Sequence, residues 1–439
     1  MTFTVKDILR LEVAPALGCT EPVAIALGAA AAASLLPDEE IQAIEIRVDP
    51  NIYKNGVAVA IPGTPGLCGI DLAAAIGALG GDPLRGLQVL EPVDDAVVAQ
   101  AVELVKNDRV TVNLLSDRKG LWIETAVKCA GDTAASVIEE MHDNITDLTL
   151  NGKSVATSPL LSGEKKEDGK GDVNALEAWL KNLRLDQLLD LVDTLDADDL
   201  QFLEEGVQYN LRLAEYGLRH ACGLGIGRTL ERLARQRLLS RDMVLAARIL
   251  TSAASDARMA GVKLPAMSSA GSGNHGLTAT LPIHAVKEFV DCEPDAVLKA
   301  IGLSHILTAY IKSYTGRLSA VCGCSVAAGA GATAGITYLM GGNVHHIAGA
   351  IKNLTEDLAG VICDGAKAGC SLKLSTAAGT AVQAALFSLQ GVEVQPTDGI
   401  VGTSPEQTMQ NIGTLSTQGM IETDRTILKI MLEKRFSGL

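Results

Sequence analysis

Hydrophobic positions along this chain change period more than once. From residue 5 to 35 they recur at helical spacing, with a break or restart at Gly18-Cys19-Thr20-Glu21-Pro22, where Thr20 is placed to cap and Pro22 suits a first helical turn. From Ile41 to Val48 the period falls to two, Ile44, Ile46 and Val48 alternating with Glu45 and Arg47. Val57 to Ile61 reads as a second short strand, and Arg109 to Leu115 with Leu121 to Val127 as a hairpin around Ser116-Asp117-Arg118-Lys119-Gly120. Helices at about 69–79 and 94–106 complete an α+β module. The charged, glycine-punctuated run from Gly163 to Asp172 marks a boundary. Beyond it helical spacing holds to the end, through Leu176 to Leu195, Asp198 to Arg219 and segments near 228–238, 241–258, 284–290 and 294–312. The expected fold class is α+β, with a mostly helical domain of residues 1–35 and 175–439 and a smaller α+β domain, 36–174, inserted after the N-terminal helix.

Leu318 to Ile351 contains no Asp, Glu, Lys or Arg, a length that could cross a bilayer. Its Ala, Gly, Cys, Ser and Thr content, with Gly341-Gly342-Asn343 and His345-His346, makes transfer to lipid poor, so it reads as a helix buried in a domain core. Composition narrows the function further. A net charge of -15 offers no basic face for a phosphate backbone, and 3% aromatic residues leave little for stacking on bases, so neither nucleic acid nor an anionic membrane surface is an expected partner. Nine cysteines behind a start without a basic-then-apolar leader argue for a reducing, cytoplasmic setting in which thiols bind metal or do chemistry. A small-molecule partner remains, with room for a homo-oligomer.

Four of those cysteines cluster late, in Cys322-Gly323-Cys324 and in Cys363-Asp-Gly-Ala-Lys-Ala-Gly-Cys370. The second spacing is too wide for a zinc knuckle and no finger-spaced partner pair follows, whereas Gly365 and Gly369 let the loop wrap a larger iron-sulfur cubane. Three thiolates on four irons leave one iron as an open Lewis acid. Taken singly, a cysteine is more often a small buried hydrophobe, and Cys68, Cys129, Cys222 and Cys292 are assigned to that role. Cys19, at a helix start, is placed where the dipole favours a thiolate, fit to be a base, a nucleophile or a removable ligand. The run Ser268-Ser269-Ala270-Gly271-Ser272-Gly273-Asn274-His275-Gly276, read as a turn between two helices, can offer amides and hydroxyls to a carboxylate or phosphate. Gly223-Leu-Gly225-Ile-Gly227 resembles a dinucleotide loop but follows a helix rather than a strand. No metalloprotease histidine spacing and no Gly-x-Ser-x-Gly elbow is present.

Five motifs, Glu12 to Pro22, Asn51-Ile-Tyr-Lys54-Asn-Gly56, Ser268 to Gly276, Tyr314-Thr-Gly-Arg317 to Cys324, and Cys363 to Cys370, together resemble the L-cysteine desulfidase family, relatives of the iron-sulfur L-serine dehydratase α chain. The resemblance covers nearly the whole chain. It implies a pyridoxal-free lyase that converts L-cysteine to pyruvate, ammonia and sulfide at an oxygen-sensitive 4Fe-4S cluster. Cys363, Cys370 and one of Cys322 or Cys324 are the implied ligands, and Cys19 the residue that covers the free iron or acts as base. Ser269, Ser272, Asn274 and His275 are expected to hold the substrate carboxylate, helped by a cation such as Lys54 or Arg317. The related serine dehydratases carry a cysteine at the extreme C-terminus, where this sequence reads Arg435-Phe-Ser-Gly-Leu439, which favours the desulfidase branch.

Three rivals remain: a serine dehydratase working the same way, a pyridoxal-phosphate dehydratase, and a cluster-free amino-acid-binding or regulatory protein. The pyridoxal reading lacks a Ser-Phe-Lys Schiff-base segment and a tetraglycine phosphate loop.

Overall fold

The computed structural model describes residues 2–36, 40–64, 66–161, 173–316 and 319–434. It is an α+β protein with one six-stranded sheet and many helices. Helix Val5–Glu12 is capped by Thr4 and followed by a three-residue strand, Pro15–Leu17, and then helix Thr20–Ala33. Cys19, rather than Thr20, occupies the N-cap of that second helix. The break seen in the sequence therefore holds a strand, which pairs antiparallel with Pro265–Met267.

The sheet runs in the order Val110–Leu114, Ala43–Val48, Trp122–Lys128, Thr133–Glu139, Ile145–Leu150, Lys153–Ser154. The expected hairpin of 109–115 with 121–127 does not form. Ala43–Val48 lies between those two strands, parallel to the first and antiparallel to the second. The chain leaves Val48, and helix Asp95–Lys106 brings it back alongside in the same direction, the crossover that parallel pairing requires. Val57 to Ile61 is not a strand either. Ala60 makes one isolated bridge, to Cys68, and the residues before it form helix Pro50–Gly56, whose N-terminal amides are taken by the carboxylate of Asp49. An Asp-Pro pair at that point is a helix-start signal.

One apolar core gathers Ile8, Leu9, Leu203, Ile301, Leu307, Leu354 and their neighbours from the helical segments. A second packs Val23, Ile25 and Leu27 of helix Thr20–Ala33 with Ile46, Ile76, Ile123 and Ile138 across the sheet. The uncharged stretch holds the π-helical turn Cys324–Ala328, helix Gly329–Leu339 and the first half of helix Val344–Leu358, with a turn at Gly341-Gly342-Asn343. Among the described residues no helix is long and apolar enough to cross a membrane. The boundary segment Gly163 to Asp172 lies outside the described residues.

Candidate active site

Two pairings between distant parts of the chain, and one helix start, build one cavity. The Pro15–Leu17 ribbon joins the strand before Cys19 to the strand before the serine-rich loop, with Ala14 O accepting from Ser268 N at 2.8 Å and Glu12 O from Ala270 N at 2.8 Å. An isolated bridge, Val321 to Ile362, aligns the two cysteine segments: Cys322 N donates to Val361 O at 2.9 Å and Cys363 N to Ala320 O at 2.6 Å. Cys370 then opens helix Cys370–Leu389. The result is a cavity of about 90 Å³ lined by Cys19, Cys322, Cys324, Cys363 and Cys370 together with Ser272, Asn274 and His275. That free volume is small beside the roughly 300–1000 Å³ of sites for drug-sized ligands.

The serine-rich run is shorter as a loop than its sequence suggests. Helix Gly273–Val286 already includes Asn274 and His275, and Ser272 is its N-cap. Ser269 does not line the cavity; its hydroxyl shares a 2.9 Å hydrogen bond with His305 Nδ1. Lys54 is also outside the lining. It is 2% exposed and pairs with Asp424 at 2.5 Å, although its charge still acts on Cys363. Arg317 lies outside the described residues. The glycine loop 223–227 meets an internal anion: Gly227 N donates to Asp256 Oδ2 at 3.1 Å, and the Gly225 and Ile226 amides also bond to that carboxylate. Its amides are thus already engaged, and the dinucleotide reading has no support.

Several cavity residues were not singled out from sequence: Glu21, His142, Arg258, Lys312 and Lys373. Arg258 is 2% exposed in helix Met243–Met259; Nη2 donates to Gly18 O at 2.6 Å, and Nε has no hydrogen-bond partner. Gly273 makes room for it, since a Cβ there would stand 2.4 Å from Nε. Asn274, 5% exposed, has the opposite deficit: its amide nitrogen reaches only Met259 Sδ, at 3.5 Å, and its Oδ1 is buried without a donor. Arg258 and Lys312 stand out in the sequence only as cations within runs of small or apolar residues. His142 has no such marker.

Cys19 does not carry the thiolate that its helix-start position suggested. Burial, and then the charge of Glu21, push its pKa well up, and its Sγ donates to Glu21 Oε2 at 2.9 Å. The dipole of one helix end cannot offset a neighbouring carboxylate in a dry site. His142 Nε2 lies 4.0 Å from the other Glu21 oxygen. Among the late cysteines, Cys322 and Cys324 share a hydrogen bond that draws the Cys322 pKa down to about 6, while the same bond and burial drive Cys324 up. Burial raises Cys363, and raises Cys370 to about 11. Ionising all four calls for a cationic group between them.

The donor set fits a metal-sulfur cluster. Four thiols face one cavity, no cysteine is in a disulfide, and Lys373, bonded to Asp364 and to Ile362 O, adds positive charge beside Cys322 and Cys363. Among the described residues no group of three or more His, Cys, Asp or Glu is arranged to hold a metal ion.

A family model for the serine dehydratase alpha chain matches residues 86–429. The chain is 65% identical, over the full length of both, to a UPF0597 protein of Desulfatibacillum aliphaticivorans. It is 60% identical to a UPF0597 protein of Desulfotalea psychrophila, again covering 100% of each chain. To one of Clostridioides difficile it is 46% identical, covering 97% of this chain and 98% of the other.

Proposed function

The chain belongs to the serine dehydratase alpha chain family, and we propose that it is a pyridoxal-independent lyase for a small L-amino acid, releasing pyruvate, ammonia and sulfide from L-cysteine. One observation carries this reading. The cavity buries a cationic donor without an acceptor, Arg258 Nε, and an acceptor without a donor, Asn274 Oδ1. Each such unmade bond costs about 1–3 kcal/mol. An α-amino acid zwitterion satisfies both, its carboxylate on Arg258 and its ammonium on Asn274, with Lys312 adding positive charge to the carboxylate side.

A 4Fe-4S cluster held by Cys363, Cys370 and one of Cys322 or Cys324 would supply Lewis acidity toward the β-heteroatom. The protein's own groups orient the substrate and move its proton. Cys19 passes its proton to Glu21 as its sulfur takes the α-proton, so that no free thiolate has to persist beside the carboxylate. The electron pair of the Cα–H bond forms the new double bond while the Cβ–S pair leaves with sulfur as hydrosulfide. Aminoacrylate tautomerises to an imine, which water hydrolyses to pyruvate and ammonia. Nine free cysteines suit a reducing cytoplasm for such an enzyme. The matched family's description favours L-serine as a second substrate, with hydroxide in place of hydrosulfide.

The test is anaerobic reconstitution with iron and sulfide, followed by assay of pyruvate and sulfide from L-cysteine and of pyruvate from L-serine. Turnover of either supports a lyase, and their ratio assigns the substrate. Binding of both amino acids without pyruvate would replace this reading by an amino-acid-binding protein.

A further inference from the structure

Behind the cavity wall, two buried side chains that touch no substrate position govern one that does. His305, 2% exposed on helix Pro294–Thr315, holds the hydroxyl of Ser269, which is itself fully buried. Ser269 exchanges two backbone bonds of 3.1 Å with Ser272, so its peptide is pinned on both sides. Its carbonyl also lies 3.2 Å from His275 Nδ1, and the carbonyl of Ala270 is the other backbone partner of that ring. A carbonyl can only accept, so Nδ1 carries the hydrogen. Burial, with Lys312 and Arg258 nearby, keeps the imidazole neutral by drawing its pKa down to about 3. In a neutral ring protonated at Nδ1, Nε2 is a bare acceptor. Nε2 rests against Gly323, where a Cβ would stand only 2.4 Å away, so the lone pair sits at the turn between Cys322 and Cys324.

We infer that His275 Nε2 accepts a hydrogen bond from the β-thiol or β-hydroxyl of the substrate, and that Ser269 and His305 are positioning residues that fix its tautomer. The inference rests on the amino-acid reading above and deepens it. Asn274 Oδ1 takes one hydrogen of the ammonium, a group common to every amino acid, whereas the β-thiol or β-hydroxyl is the donor that cysteine and serine have and alanine lacks, and Nε2 lies at the Cys322–Cys324 turn where the thiols converge. His275 thereby selects amino acids that possess a β-donor, and it does so from the side on which the thiols converge.

Two ligands without an α-proton test this free of turnover: α-methyl-L-serine, which keeps the β-hydroxyl, and 2-aminoisobutyrate, which lacks it. Calorimetric titration of the anaerobically reconstituted full chain should show the first binding more tightly by at least about tenfold, the worth of one buried hydrogen bond. His275→Ala should lower the ratio about tenfold. His305→Leu should lower it, and His305→Gln, which can still bond Ser269, should restore it. In protein carrying 15N-labelled histidine, the His275 ring, assigned by its loss in His275→Ala, should show hydrogen at Nδ1, and in His305→Leu a mixture of tautomers. An unchanged ratio in His275→Ala, or hydrogen at Nε2 in the unaltered protein, overturns the inference. Failure of both ligands to bind would instead count against the amino-acid reading, and the nitrogen spectrum would still decide the tautomer.

Discussion

Replacing Arg258 with lysine keeps a positive charge in the cavity but removes the fork that lets one side chain serve two acceptors. In the native protein Nη2 is committed to Gly18 O at 2.6 Å, and Nε is the free donor. A lysine ammonium on a thinner stem can hold the Gly18 carbonyl or the substrate carboxylate, and the Gly18 contact is present in both free and bound protein. The loss therefore falls on the substrate. One charge-assisted bond is worth about 2 kcal/mol, which corresponds to about a 30-fold fall in kcat/KM. Because the carboxylate is bound alike before and during elimination, most of the change should appear in KM. The assay is initial pyruvate release against L-cysteine concentration on anaerobically reconstituted Arg258→Lys, with thermal melting as a check on folding. A folded variant whose kcat/KM stays within about threefold of the parent, where an effect of about 2 kcal/mol is expected, would refute the reasoning and move the carboxylate to Lys312.

Cys370→Ala should lose bound iron, whereas Cys19→Ala should retain iron and lose turnover; equal iron loss in both variants, measured by metal content, would contradict separate roles for the two thiols. Asp49 gives a pH signature in the fold. Burial outweighs the three backbone amides that bond its carboxylate and lifts its pKa from 3.8 to about 6. The folded state then holds this proton more tightly than the unfolded chain. Stability should accordingly fall by roughly 2–3 kcal/mol as pH rises from about 4 to about 6, and Asp49→Asn should flatten that segment in urea unfolding. Asp424→Asn should destabilise the protein by about 2 kcal/mol, because the buried Lys54 loses its counter-charge, the effect being smaller than for a fully buried pair because Asp424 is partly exposed. Denaturant melts of Asp424→Asn against the double variant with Lys54→Met, which removes the stranded charge, would show recovery if this is correct.

Local signals carried much of this architecture. The Asp-marked start of helix Ala197–Arg219, the alternation at Ile44-Ile46-Val48 and the grouping of Cys322, Cys324, Cys363 and Cys370 are short-range patterns, and all are present as ordered elements or as one cavity wall. Strand order is different. The partners of Ala43–Val48 are chosen by a helical crossover and by burial of Ile44 and Ile46, which spacing along the chain does not encode. Electrostatic roles were the least legible. Whether Cys19 is a thiol or a thiolate depends on Glu21 and on dryness, and whether Lys54 meets substrate depends on Asp424, 370 residues away in the chain. The role of Arg258 is not legible along the chain because only folding brings Gly18 and Gly273 against it.

The central claim is that the late thiols surround one iron-sulfur group beside an amino-acid pocket. X-ray data collected at the iron absorption edge from anaerobically reconstituted crystals test it directly. Strong anomalous density bonded to Cys363, Cys370 and one of Cys322 or Cys324 is the predicted result. Reconstituted protein with no iron there, or with iron held at other residues, would contradict it.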